Sequence, residues 1–319
     1  MNKRLIFPDA IKFFAICFVT CGHCSQSIAG QPWTNMLGGT EWEIAFLMPL
    51  FMMMSGWFLN IEKIRETPLL DYIITKFSRL MIPSFTWSLL TCLIFLQYPR
   101  IHIVSAYWYL CALYVSLCII AAVSKVIKSN TLCIIVSISF VMLCPFMWYS
   151  KINFMLPFVW AGYGAKHLLS SRLNKHAFFF CTMTAIVTSL FWNKDFSIYI
   201  SPWDILNLSD RDIYIYIYRF VTGFSISTVF IFLFQRFERA KIVRYLAKYG
   251  KYSLVIYTSS MLLNRLFNDL LNLINWHNNT YGIIDFLSIF ITIIIVWTTI
   301  LFADLCKKNK YATILFLGE

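Results

Sequence analysis

Apolar residues run through this chain in long blocks, and polar residues gather in the gaps between them. A membrane-crossing helix needs about 20 mostly apolar residues in a row. About ten blocks reach that length, at roughly 8–28, 43–60, 80–98, 103–124, 131–149, 152–169, 176–193, 213–235, 252–274 and 283–305. Turn-forming residues punctuate the joins: Pro32, Gly38-Gly39, Pro68, Pro99, Ser129-Asn130, Pro202 and Asn278-Asn279. The pattern predicts an all-α, polytopic helical bundle. It reads as a single domain over residues 1–319, with no internal repeat and no soluble appendage. No small-residue cleavage site follows the first block, so that block is expected to stay as a helix rather than leave as a signal peptide.

Basic residues test this reading. With the N-terminus inside, about twenty Lys and Arg fall on the inner side. Arg100, Lys151, Lys194 and Arg211 fall outside, and Lys12, Arg219 and Arg265 lie within blocks. The even number of blocks then places both termini in the cytoplasm. Composition agrees: of 319 residues, 59% are hydrophobic and 13% charged, about half the charge of a soluble domain. A water-soluble fold of this size cannot bury so much apolar surface. The net charge of +12 is accordingly expected to face anionic lipid headgroups, not nucleic acid. Of the ten cysteines, Cys17, Cys92, Cys118 and Cys181 are typical in lying inside apolar blocks, where thiols pack as small hydrophobes. Cys21-Gly22-His23-Cys24 lacks the second half of a zinc site, so no metal is expected.

The first block carries the candidate chemistry. Asp9, Lys12 and His23 are ionisable, and charge within a bilayer usually faces a bundle interior and marks a site. Lys12 and His23 are eleven residues apart, about three helical turns, which returns them to within roughly 20° of one another. Asp9 precedes Lys12 by three residues and is close enough to pair with it. All three therefore share one helix face. Two other readings stand beside this one. Asp9 and Lys12 can snorkel to the cytoplasmic headgroups, and His23 can sit in the outer interface. In the second block, Ser55-Gly56 marks a close helix contact or a catalytic hydroxyl. At the third block, Lys76 and Arg79 are either positive-inside anchors or a phosphate clamp.

These residues resemble the acyltransferase-3 family of bacterial membrane O-acyltransferases. That family's first helix carries a basic residue, ten intervening residues and a histidine, matched by Lys12 and His23, with Asp9 as the preceding acid. Its second helix carries Met-Pro-Leu-Phe and then Ser-Gly, matched by Met48 to Phe51 and by Ser55-Gly56. Arg79 and Pro83 match the start of its third helix. Trp108 to Leu113, Leu156 to Gly162 and Gly250 to Tyr257 resemble three later elements, so the ordered matches run from about residue 4 to 260. Many members carry histidines where Leu47 and Ser260 stand here; those positions are read as accessory, leaving His23 as the core histidine.

The resemblance implies transfer of an acyl group, usually acetyl, from coenzyme A to a sugar hydroxyl. His23 is expected as general base, with Asp9 beside it on the catalytic face and Ser55 as an oxyanion donor. Lys12, Lys76 and Arg79 are expected to hold the cofactor's phosphates. The axial distance from Lys12 to His23, about 16 Å, is similar to the reach of a phosphopantetheine arm. The expected partners are acyl-CoA, an envelope glycan or lipid-linked sugar and the lipid bilayer, with a bacterial inner-membrane location. Trp33, Trp42, Trp108, Trp148, Trp192, Trp203 and Trp276 suit an interfacial belt or sugar stacking. A glycan transporter or flippase remains the alternative, since multi-span chains with buried charge often transport.

Overall fold

A computed structural model describes residues 5–30, 43–95, 107–144, 146–147, 151–170, 174–193, 196, 210–274 and 281–319. The joins at Pro32, Gly38-Gly39, Pro99, Pro202 and Asn278-Asn279 lie outside these residues. So do Trp33, Trp42, Trp148, Trp203 and Trp276, together with Arg100 and Lys194.

The described residues form helices and connecting turns. They are α1 (Phe7–Ala29), α2 (Glu43–Trp57), α3 (Ile61–Glu66), α4 (Leu69–Phe95), α5 (Trp108–Val126) and α6 (Asn130–Leu143). There follow α7 (Ile152–Ser170), α8 (Asn174–Leu190), α9 (Asp210–Arg236), α10 (Lys241–Tyr249), α11 (Ser253–Leu273) and α12 (Tyr281–Cys306). A 3-10 turn, Gly250–Tyr252, joins α10 to α11, and short helical turns at Lys310–Ala312 and Thr313–Leu317 close the chain. Each of the ten apolar blocks coincides with a helix. Five of these are long and apolar enough to cross a membrane, lying at Phe7–Ala29, Leu69–Phe95, Trp108–Val126, Arg211–Arg236 and Gly282–Cys306. Helices α2 and α6 are apolar but shorter. The third block starts earlier than expected, at Leu69 instead of residue 80. Its first turns carry Asp71, Lys76 and Arg79, and those charges hid a helix from an apolar count.

The helix ends follow from local chemistry. Pro8 occupies the first turn of α1, where its missing N–H costs nothing. Glu238, between α9 and α10, accepts from the backbone N–H of Ile6 at 2.6 Å and of Phe7 at 3.4 Å. A carboxylate there satisfies orphan donors and suits the helix dipole. Gly30 ends α1 in the left-handed conformation. Asn60 and Ser129 cap α3 and α6 through Lys63 and Leu132. Inside the helices, Ser and Thr hydroxyls bond back one turn, as Thr20 does to Ile16, Ser84 to Leu80 and Thr91 to Trp87. This satisfies polar groups without water.

Helix α1 is the hub, packed by α2, α9, α10, α11 and α12. Helix α2 runs between α1, α7 and α9. Its contact with α7 is made backbone to backbone: a Cβ on Gly56 would overlap the Val159 carbonyl, and one on Gly162 would overlap Met53. Gly250 abuts the Asp9 carbonyl in the same way. Small residues let helices approach this closely where lipid supplies no hydrophobic drive. Around this core, Phe286, Ile289, Phe290, Ile293 and Leu301 of α12 and Phe179 and Phe180 of α8 stand exposed. An apolar surface of that extent needs lipid to cover it.

One expected outcome tests the glycine contact. Gly162→Ala should destabilise the fold by about 1–3 kcal/mol, since overpacking forces backbone shifts. Gly164→Ala, two residues along the same helix with open space beyond its Cα, should leave the thermal midpoint in detergent near that of the parent. Equal midpoints for the two variants would show that the close approach carries no stability.

Candidate active site on helix 1

Asp9 and Lys12 lie one turn apart near the start of α1, with Nζ 3.9 Å from Oδ1. Their side chains are 17% and 31% exposed, so the pair is neither sealed in the core nor fully in water. The Lys12 ammonium also lies over the Phe58 ring, 5.2 Å from its centre. Gly250 backs directly onto Asp9 and so fixes the height of this end against the 3-10 turn.

His23 stands eleven residues further along, about 16 Å up the axis. Its Nδ1 is 3.3 Å from Gln26 Oε1. The contact ties the imidazole to an amide side chain one turn further along α1. The neighbouring residues anchor this half of α1. The Cys24 thiol donates to Asn264 Oδ1 of α11 at 3.1 Å, and Ser25 donates to Ser288 of α12 at 2.8 Å. Thr292 of α12 lies 3.7 Å from the Cys24 sulfur. Gln26 and Asn264 were not among the candidates taken from the sequence. No local pattern marks them, because each matters only through the residue it meets.

Ser55 belongs to a different cluster. Its hydroxyl donates to the Phe51 carbonyl at 3.0 Å and is a hydrogen-bond partner of Tyr109. Tyr109 meets Tyr257 edge-on and Phe51 at a tilt, each with ring centres 5.8 Å apart. Tyr107 donates to the Thr258 carbonyl at 3.0 Å. Three sequence elements, Ser55-Gly56, Trp108-Tyr109 and Ser253 to Tyr257, thus converge on one interior cluster. Its height is that of the start of α1: Trp57, two residues beyond Ser55, packs edge-on against Phe7 at 5.5 Å. Near its other end, α2 reaches the level of Phe14, because Phe46 stacks on Phe230 and Phe230 meets Phe14. Helical rise then separates Ser55 from His23 by roughly 20–25 Å. The structure does not bring the expected hydroxyl donor to the imidazole. Of the accessory positions, Leu47 is buried core and the Ser260 hydroxyl closes onto the Tyr257 carbonyl.

Lys76 and Arg79 lie on α4, which packs on α5, α11 and the C-terminal turns. Lys76 is half-buried over the Tyr72 ring at 5.3 Å. Arg79 is exposed, and its carbonyl backs onto Gly318, whose left-handed backbone allows that approach. Lys12 stands at the α1–α2 junction, and Lys76 and Arg79 stand on α4, Arg79 beside the C-terminal turn. Just before α7, Lys151 lies over Trp108 at 4.1 Å, in a left-handed conformation. Burial, and then the nearby Arg219, push the Lys151 ammonium down to about 8. Arg219 itself is 2% exposed and lies over Phe154. Trp108 is thus occupied by a cation and Trp192 by Phe196 and Tyr218.

Comparison with curated proteins and with solved structures finds no match. A family model described as an acyltransferase domain matches residues 5–306, a stretch that holds the Asp9–His23 face, the Ser55 cluster, Lys76 and Arg79. The chain therefore belongs to the acyltransferase-3 family and is a membrane acyltransferase.

Proposed function

We propose that this protein is an O-acyltransferase that moves an acyl group, most simply acetyl, from acyl-CoA to a hydroxyl of a cell-envelope carbohydrate. The acceptor class is O-antigen, lipopolysaccharide, exopolysaccharide or a lipid-linked precursor. In this reading the chain is one membrane-embedded domain of ten crossings, with both termini in the cytoplasm of a bacterial inner membrane. The observation that carries the reading is the His23 imidazole, paired with the Gln26 side chain and eleven residues from Lys12 on one face of α1.

The residues divide the work by depth. Lys12, Lys76 and Arg79 offer positive charge to the cofactor's phosphates at the cytoplasmic end. An extended pantetheine arm then reaches the level of His23. Nε2 removes the acceptor's hydroxyl proton as the oxygen attacks the thioester carbonyl. Collapse of the tetrahedral adduct expels the coenzyme A thiolate, which recovers the proton from the imidazolium. Asp9 orients Lys12, and Gln26 orients His23. Gln26 acts through the imidazole and is a positioning residue.

Glycan mass spectrometry with and without the gene tests the activity: an acyl mass increment present only with the gene supports it. Glycan movement across vesicles without any donor would instead favour transport. For the residues, His23→Ala in a folded, inserted protein should lower transfer by about 10²–10⁴-fold while acyl-CoA still binds. Near-normal transfer would remove the base assignment. Lys12→Ala and Arg79→Ala should raise KM for acyl-CoA more than KM for the acceptor. Asp9→Asn should cost less than about 1 kcal/mol of stability, because the pair it breaks is partly exposed. Its effect should therefore fall on acyl-CoA binding, read by titration, and a collapse of the thermal midpoint would assign Asp9 a structural role instead.

A further inference from the structure

Helix α10 lies in the chain between α9, which is long and apolar enough to cross a membrane, and α11, and it packs chiefly on α1. At about 100° per residue, it divides into three sectors. Val243, Leu246 and Ala247 face inward, Val243 buried and the others half-buried. Lys241, Arg244 and Lys248 make the second sector, and all three are exposed. Ile242 and Tyr245 make the third, 69% and 50% exposed. A helix packed on protein and otherwise facing water is polar over its whole outer arc. Here part of that arc is aliphatic and aromatic, beside a row of cations.

The neighbours fix what covers that arc. The Tyr245 ring meets Tyr249, and Tyr249 meets Trp297 of α12, both edge-on with centres 5.4 Å apart. Trp297 shares an exposed face of α12 with Ile293 and Leu301, at four-residue spacing. The apolar sector of α10 therefore continues a surface that lipid covers. The charge is equally one-sided. From Arg236 to Lys251 the chain carries six cations, all exposed, and one acid. That acid, Glu238, is committed to the Ile6 and Phe7 N–H groups of α1. Gly250, at the other end of α10, backs onto the Asp9 carbonyl. The two contacts hold the helix against rotation, so its outer sectors keep their directions.

We propose that α10 is an interfacial helix whose exposed cations bind the phosphate groups of anionic phospholipids while Ile242 and Tyr245 sit at the top of the acyl chains. A basic sector flanking an apolar one is what a helix lying in the membrane plane requires. Basic clusters beside a membrane span attract acidic headgroups. Tyrosine suits the boundary, because its ring is apolar and its hydroxyl prefers water. The inference concerns the lipid and not the reaction, and it holds whichever acyl group and acceptor the enzyme uses.

The test uses the full-length protein in nanodiscs of phosphatidylcholine alone or of an equal mixture with phosphatidylglycerol. On delipidation, followed by native mass spectrometry, the parent should keep phosphatidylglycerol in preference to phosphatidylcholine. Its thermal midpoint should be higher in the mixed bilayer, since a ligand of the folded state stabilises it. Arg244→Gln with Lys248→Gln should weaken phosphatidylglycerol retention by about tenfold and remove most of the midpoint gain. Lys308→Gln with Lys310→Gln makes the same charge change on exposed residues outside α10 and should leave both near parental. Ile242→Ser alters no charge and should weaken retention by about threefold or more, whereas a water-facing α10 predicts no change. Should the first double variant not fold, Lys241→Gln alone reads the same loss on a smaller scale. Equal retention of the two lipids by the parent, equal losses in the two double variants, or full retention in Ile242→Ser would overturn the assignment. So would an Arg244/Lys248 variant that keeps phosphatidylglycerol but loses acetyl-CoA, since the cations would then serve the donor's phosphates.

Discussion

Lipid offers no hydrogen bonds, so every polar group on a membrane-embedded helix must find its partner within the protein. That constraint shapes α1 more than any other helix. It carries an acid, a base and an imidazole, and five helices surround it. Glu238 satisfies its first N–H groups, Gly250 presses on the Asp9 carbonyl, and Asn264, Ser288 and Thr292 hold its second half. A helix so thoroughly fixed can present His23 and Lys12 in one register, and the approximate 16 Å between them is a property of the backbone rise.

Much of this was legible in the sequence because helical geometry is local. The apolar blocks located the helices, and the eleven-residue interval put Lys12 and His23 on one face before any contact was known. The recurring glycines were visible as motif residues, but their purpose was not. Gly56 and Gly162 are 106 residues apart, and only tertiary packing shows that each accepts the other helix's backbone. The charged start of α4 was missed for the opposite reason: apolarity was the criterion, and Asp71, Lys76 and Arg79 break it, although an i, i+4 ladder of Leu69, Ile73, Phe77 and Met81 continues through them.

The site was legible along one helix and not across helices. Grouping Ser55 with His23 ignored the direction of α2, which runs antiparallel to α1 and carries Ser55 back to the level of Phe7. The residues that hold this half of α1 lie either one turn away, as Gln26 does from His23, or 240 positions along the chain, as Asn264 does from Cys24. Neither distance leaves a signature in composition or periodicity. A polar residue in an apolar block signals that it has a partner, and the fold alone says which.

Depth therefore organises the molecule. Lys12 and Lys76 rest on aromatic faces. At the level of Phe7, Ser55, Tyr109 and Tyr257 make a compact hydroxyl cluster walled by Phe51 and Tyr107. The imidazole and the Asn264 amide lie beyond it. A ligand that suited only Lys12 would need no polar groups on the far half of α1, and a ligand that suited only His23 would need no cation on the near half. The proposed donor has its charge at one end and its reactive carbonyl at the other. Its length matches the interval between Lys12 and His23 on one rigid helix.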